Sequence, residues 1–289
     1  MQLALSDITQ FSHDLHRPEG AMVARDGIVW AADERGGCAR ITPDGEHTLV
    51  GELGGMPNGI CIDANGDIIV ANIGNGQVQR LHPDGRHEVL ATHADGRALK
   101  APNFPYVDSQ GRIWVSHSTD AEPRRPAIWE PRPDGAIAVI EDGQARLAAT
   151  EVYFANGFTL DAKEEYLYIA ETSTFRIMRF PVRADGTLGP REQFGPHLGE
   201  SSYPDGCSFD QAGNLWVTMP FRNAIGVLTP EGDWRIVLDD PSGAILPRPS
   251  NLCFGGDDLC TAYVGNLEGT TLPSFRTPHP GMPLVHQLK

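Results

Sequence analysis

The sequence predicts an all-β fold built from six repeated units, and three observations carry that prediction. Glycine (32) and proline (23) punctuate the 289 residues, and no long stretch shows helical spacing of apolar side chains; short β-rich runs lie between the punctuation. An Asn or Asp recurs five residues ahead of a turn-opening Asp: Asn58 before Asp63, Asn103 before Asp108, Asn156 before Asp161 and Asp205 before Asp210. Each turn then leads into an apolar strand: Ile68-Ile69-Val70-Ala71, Ile113-Trp114-Val115, Tyr166-Leu167-Tyr168-Ile169-Ala170 and Leu215-Trp216-Val217.

Two looser copies extend the series. Arg17-Pro18-Glu19-Gly20 leads through Asp26-Gly27 to Ile28-Val29-Trp30-Ala31, and Arg248-Pro249-Ser250-Asn251 leads through Gly255-Gly256-Asp257-Asp258 to Leu259-Cys260-Thr261-Ala262. The strand-start positions are 19, 58, 103, 156, 205 and 250, spaced 39, 45, 53, 49 and 45 apart. Units of that size suit four-stranded blades around a central channel, so the expectation is a six-bladed β-propeller forming a single domain over 1–289. The alternating run from Leu3 to Phe11 precedes the first unit and is expected to close the ring as the edge strand of the last blade.

Phase separates working residues from turn residues. Pro43-Asp44-Gly45, Pro83-Asp84-Gly85, Pro133-Asp134-Gly135, Ala184-Asp185-Gly186 and Pro230-Glu231-Gly232 are expected to join the last two strands of their blades. Pro204-Asp205-Gly206 spells the same tripeptide but opens a first strand. In an up-and-down blade, strand starts share one face with the connections after strand two, and the Asp turns share the other. Asp44, Asp84, Asp134 and Asp185 therefore read as turn residues. Asp63-Ala64-Asn65-Gly66-Asp67 reads as a hairpin, since it lacks the distal Glu of a calcium loop. His117 to Pro126 is the longest connection on the strand-start face, either a solvated loop or a cover for the channel mouth.

A formal charge of −15 argues against nucleic acid as a partner. The five cysteines (Cys38, Cys61, Cys207, Cys253, Cys260) include no CxxC pair and read as reduced, buried thiols. The first residues carry no basic segment followed by a long apolar run, and no stretch reaches membrane-spanning length. The expectation is a soluble cytoplasmic protein with a small-molecule substrate and no membrane partner.

The repeat places Glu19, Asn58, Asn103, Asn156, Asp205 and Ser250 around one channel mouth. All offer oxygen and none is His or Cys, a set suited to a hard cation such as Ca²⁺, Mg²⁺ or Mn²⁺. A cation there polarises a carbonyl and acidifies water. Ser116, His117 and Ser118 follow strand two on the same face, but no Gly-x-Ser-x-Gly elbow is present, which argues against a serine nucleophile.

Arg17-Pro18-Glu19-Gly20, Phe154-Ala155-Asn156-Gly157-Phe158-Thr159-Leu160-Asp161, Tyr203-Pro204-Asp205-Gly206-Cys207-Ser208-Phe209-Asp210, Asn251-Leu252-Cys253-Phe254-Gly255-Gly256 and Pro280-Gly281-Met282-Pro283-Leu284 resemble the signature segments of the SMP-30/gluconolactonase/LRE family. The resemblance implies a six-bladed propeller, one divalent cation in its channel (Ca²⁺ before Mg²⁺, Mn²⁺ or Zn²⁺) and hydrolysis of lactones. It implies metal ligands at Glu19, Asn156 and Asp205 and a substrate-contacting or metal-proximal Asn103. Asp205, or a water it orients, is the candidate base; Asn58, Asn103, His117, Phe104 and Tyr106 are candidate substrate contacts. Where sugar-lactone members carry Arg and Asp beside that Asn, this chain has Ala101 and Phe104. With Tyr106, Phe154, Tyr203 and Phe221 expected near the same face, a less polar lactone or ester becomes an alternative to a sugar lactone. A condensing or hydrating enzyme similar to strictosidine synthase, and a binding module, are the rival readings.

Overall fold

A computed structural model describes residues 3–288. Six four-stranded antiparallel sheets form the blades of a propeller. The first strands are Ala21–Val23, Pro57–Ile62, Pro102–Val107, Ala155–Leu160, Cys207–Phe209 and Pro249–Gly255. Each packs against the first strand of its neighbours, so together they ring the channel. The last blade is completed by Thr9–Phe11, whose Thr9 and Phe11 lie opposite Ser274 and Leu272. Of the predicted edge run only these residues are strand, because Leu5–Asp7 winds into a 3₁₀ turn.

The Asp turns are rivets for the blades. Asp210 Oδ1 accepts the Ala212 and Asn214 N–H groups at 3.0 and 2.9 Å, and its Oδ2 accepts the Trp216 indole at 3.0 Å. Asp108 repeats this with Gln110, Arg112 and the Trp114 indole at 3.0, 2.9 and 2.8 Å. Both tryptophans are fully buried, so the turn carboxylate also satisfies an indole that water does not reach. Asp63 accepts the Asn65 and Asp67 N–H groups at 2.8 and 3.1 Å, as a hairpin turn requires. Cys38, Cys61, Cys207 and Cys253 are buried free thiols, and Cys260 is half-buried.

One turn departs from its expected phase. Pro133-Asp134-Gly135 precedes the third strand of its blade, Gly135–Glu141, and the hairpin to Gln144–Val152 is made by Asp142 and Gly143, both at positive φ. The connection after strand two therefore runs over 118–134. Its base is tied down: Thr119 Oγ1 donates to Asp134 Oδ2 at 2.9 Å, and Arg97 pairs with Asp120 at 2.9 Å. At the other end of the channel the segment after Pro280 packs across the hairpins. Met282 N–H donates to the Phe209 carbonyl at 2.9 Å, and His286 Nε2 donates to that of Val23 at 2.9 Å. Among the described residues no helix is long and apolar enough to cross a membrane.

Candidate active site

The site residues converge because the backbone lets neighbouring blades approach closely. A glycine follows Glu19, Asn58, Asn156 and Asp205. A Cβ on Gly20 would lie 2.6 Å from the Asn58 carbonyl oxygen, and one on Gly157 would lie 2.8 Å from that of Asp205, so only glycine fits. The first strands also change register between Pro57 and Ile60, Pro102 and Pro105, and Ala155 and Phe158. Those slips sit at Asn58, Asn103 and Asn156, and a bulge is the local means of turning a side chain off the sheet.

A cavity of about 730 Å³ opens on this face, lined among others by Arg17, Glu19, Asn58, Asn103, Asn156 and Asp205. Glu19 and Asp205 are both buried. Burial pushes the Glu19 carboxyl up to about 7, against the pull of Arg17 and of the Asn58 hydrogen bond. Burial, followed by the charge of Glu19, holds Asp205 well above the usual carboxylate range. Asn58 Nδ2 donates to Glu19 Oε1 at 3.0 Å and to the Asn103 carbonyl at 3.1 Å, while Asn58 Oδ1 accepts from Arg17 at 3.0 Å. Asn156 Nδ2 donates to Thr172 Oγ1 at 3.0 Å, and Thr172 donates to the Pro204 carbonyl at 2.8 Å.

After those bonds are counted, Glu19 Oε2, Asn103 Oδ1 and Asn156 Oδ1 are buried with no hydrogen-bond partner. Three orphan oxygens from three blades beside a second buried carboxylate are the donor set a hard cation takes. Among the described residues no cluster of three or more His, Cys, Asp or Glu side chains is arranged for a metal; this donor set contains two carboxylates and completes itself with amides.

Several expected substrate contacts are tied up in the fold or lie outside the cavity. Asn58 lines the cavity, but its amide is fully spent as a strut between Arg17, Glu19 and Asn103. Ser250 donates its hydroxyl to the Glu19 carbonyl at 2.8 Å, fixing that backbone rather than facing a ligand. His117 is fully buried, with Nδ1 accepting from the Ala101 N–H at 3.3 Å and Nε2 bonded to Asp120 at 2.9 Å. It is a neutral tie for the 118–134 connection, and burial pushes its pKa down. Phe104 packs edge-on against Phe158 at 6.1 Å and is buried. Tyr106 is carried down the strand into a second, smaller cavity with Met282, Val285 and Leu288. Phe154, Tyr203 and Phe221 do line the main cavity.

Other cavity residues had no periodic signal to reveal them. The 118–134 connection lines the mouth with Ala121, Glu122, Arg124 and Ile128, while Glu122, Pro123 and Arg125 are also exposed to solvent. Thr172, which orients Asn156, and Arg17, which holds Asn58, were identifiable only as neighbours of the repeat residues.

Comparison with known proteins decides the family. The sequence pattern described as the SMP-30/Gluconolactonase/LRE-like region matches residues 84–267, well over half of the chain. The chain belongs to this family. An NHL repeat pattern also matches residues 55–81, the second blade up to its third strand. A protein named 6-deoxy-6-sulfogluconolactonase, from Pseudomonas putida, is 28% identical over 61% of this chain and 57% of its own length. The strictosidine synthase-like 6 protein of Arabidopsis thaliana is 27% identical over 58% of this chain and 45% of its own. The chain thus spans about half the length of these two relatives. In three dimensions a gluconolactonase from Xanthomonas campestris superposes with a TM-score of 0.77 at 21% identity, covering 95% of this chain and 91% of that one; this likeness is one of fold.

Proposed function

We propose that this protein hydrolyses a lactone at the Glu19–Asn156–Asp205 cluster with the help of one divalent cation. The observation that carries the reading is the trio of buried, partnerless oxygens on Glu19, Asn103 and Asn156 beside Asp205. Relatives named for sugar lactones, the sulfogluconolactonase above and a pentonolactonase of Haloferax volcanii at 23% identity, support the reaction class.

Glu19, Asn156 and Asp205 would hold the cation, with Asn103 beside them, and Ca²⁺ suits this mixed carboxylate–amide set best. When bound, the cation supplies positive charge that polarises a carbonyl and acidifies water. Asp205 takes the proton of the attacking water as the water oxygen bonds to the lactone carbonyl carbon. The ring C–O bond then breaks, and the proton passes to the departing oxygen, giving the open hydroxy acid. For this Asp205 must be ionised, a state that burial and the charge of Glu19 oppose and that Arg17 and a bound cation would favour. Asn103 offers its amide to the substrate, Asn58 and Ser250 fix Glu19, and Phe154, Tyr203 and Phe221 form the wall against which the lactone ring lies.

The test is hydrolysis of a panel of sugar lactones and less polar lactones by purified protein, chelated and then resupplied with Ca²⁺, Mg²⁺, Mn²⁺ or Zn²⁺. Turnover that disappears on chelation and in Asp205→Asn is expected. No turnover of any lactone with any of these cations would overturn the reading and favour a non-hydrolytic enzyme of the kind the strictosidine synthase-like relative suggests.

A further inference from the structure

We propose that Arg17 and Arg124 form an oxyanion-binding subsite above the carboxylate cluster, and that the lactone taken there carries a carboxylate or sulfonate group away from its ring carbonyl. The inference rests on the lactonase reading and narrows its substrate class.

The chain carries a formal charge of −15, yet its main cavity is lined by Arg17, Lys100, Arg124, Arg125 and Arg248. Three of these are already engaged. Lys100 pairs with Glu122 at 3.4 Å, Arg248 pairs with Glu268 at 3.3 Å, and Arg125 stacks over Trp129 at 5.9 Å. Arg17 and Arg124 differ: among the described residues neither has a carboxylate within ion-pairing distance or an aromatic ring to stack on. Arg17 Nη2 is fixed by Asn58 at 3.0 Å, while its Nη1 is buried with no partner. Arg124 reaches only the Met56 sulfur, at 3.9 Å.

Both guanidinium groups line the same cavity, and burial, followed by the charge of Arg17, lowers the pKa of Arg124. Two like charges, partly desolvated and facing a cavity, are unfavourable until an anion joins them. Arg17 already acts on Glu19 and Asp205, drawing both carboxyl pKa values down against burial. Arg124 adds a second positive charge that no carboxylate among the described residues answers. Paired guanidinium forks suit planar or trigonal oxyanions, which they bind through two parallel N–H donors. Arg124 is carried by the connection lining the cavity mouth and Arg17 by the segment that holds Glu19. An anionic group held between them therefore sits above the cation ligands, with the lactone ring below it.

The decisive experiment compares matched lactone pairs in which a terminal hydroxyl is replaced by a carboxylate or a sulfonate, using the full-length protein at low ionic strength. Wild-type kcat/KM should favour the anionic member by roughly 10- to 100-fold, the scale of hydrogen bonds to charged groups. That preference should fall with added salt and collapse in Arg124→Gln and Arg17→Gln, while Arg86→Gln, an exposed change of the same charge on a hairpin at the other end, keeps it. Equal turnover of neutral and anionic members, or a preference that survives in both variants, overturns the proposal. If no lactone of either kind is turned over, the lactonase reading fails by itself, and calorimetric binding of methanesulfonate and acetate decides the subsite. Binding that Arg124→Gln removes upholds it; binding that Arg124→Gln leaves intact, or no binding to wild type, overturns it. Arg124 lies on a surface connection, so its variant remains informative even if Arg17→Gln, which removes a strut, fails to fold.

Discussion

In the fifth blade two aspartates five residues apart have opposite surroundings. Asp210, at the hairpin end, accepts hydrogen bonds from two backbone N–H groups, the Asn214 amide and the Trp216 indole. Asp205, at the open end, is equally buried but shares its space with Glu19 and with orphan oxygens. The backbone shows the same contrast. At the hairpin end glycines hold most of the positive-φ positions, among them Gly27, Gly66, Gly111 and Gly213, while Asp142, Glu164 and Leu259 take others. At the open end Arg17, Phe154, Tyr203 and Arg248 stand at positive φ, each two residues before a strand-start residue and each lining the cavity. A side chain in that conformation costs about 1–2 kcal/mol. One end of the repeat is optimised for stability, whereas the other retains strain and unanswered polarity where a ligand can use them.

Exchanging substitutions between the two ends should break this contrast most sharply. Asp205→Asn is expected to lower lactone turnover by roughly 10²–10⁴-fold, the range for loss of a positioned proton acceptor, while leaving the fold intact. Asp210→Ala is expected to do the reverse, costing about 2–4 kcal/mol through stranded buried donors, with kcat/KM retained wherever the protein stays folded. Steady-state kinetics beside urea denaturation would measure both, and a stability loss in Asp205→Asn as large as that in Asp210→Ala would erase the distinction.

The next effect concerns acidity at the open end. In chelated protein the Glu19 carboxyl titrates at about 7 instead of the ordinary 4.5, and Asp205 shifts the same way. Across that interval the folded chain holds protons that the unfolded chain has released, so stability declines as pH rises through it. Melting curves of chelated protein should shift downward from mildly acidic to mildly alkaline buffer, and saturating Ca²⁺ should flatten the decline. A chelated melting temperature that rises over the same interval would contradict the burial of these two carboxyls.

The smallest effect has the opposite sign. His117 and His286 are buried and their pKa values lie below the ordinary 6.5. The unfolded chain gains protons first as pH drops below that value, so stability falls on acidification. His286→Gln, which can still donate to the Val23 carbonyl, should reduce this acid-side loss in cation-loaded protein; an unchanged acid limb would assign the loss elsewhere.

The repeat was legible because strand period, turn chemistry and channel geometry all act at fixed spacing, so the sequence alone places Glu19, Asn58, Asn103, Asn156 and Asp205 on one face. What was not legible depended on direction rather than position. Tyr106 is three residues beyond Asn103, roughly 10 Å further along a strand, which takes it towards the opposite end. Asn58 has the right phase, but Arg17, from the neighbouring blade, consumes its carbonyl oxygen. Pro133-Asp134-Gly135 imitates a hairpin while ending a long connection, because the tripeptide specifies a bend and not which strands flank it. Arg17 and Arg124 lie in connections whose side chains follow no period.

The pairing of Thr9–Phe11 with Leu272–Ser274 also orders events in time. Five blades can assemble from neighbouring segments as the polypeptide emerges during synthesis, but the ring can latch only after residues near 276 have been made. Until then the early strand has no mate, and a newborn chain exposes a sticky margin that must be shielded or aggregate.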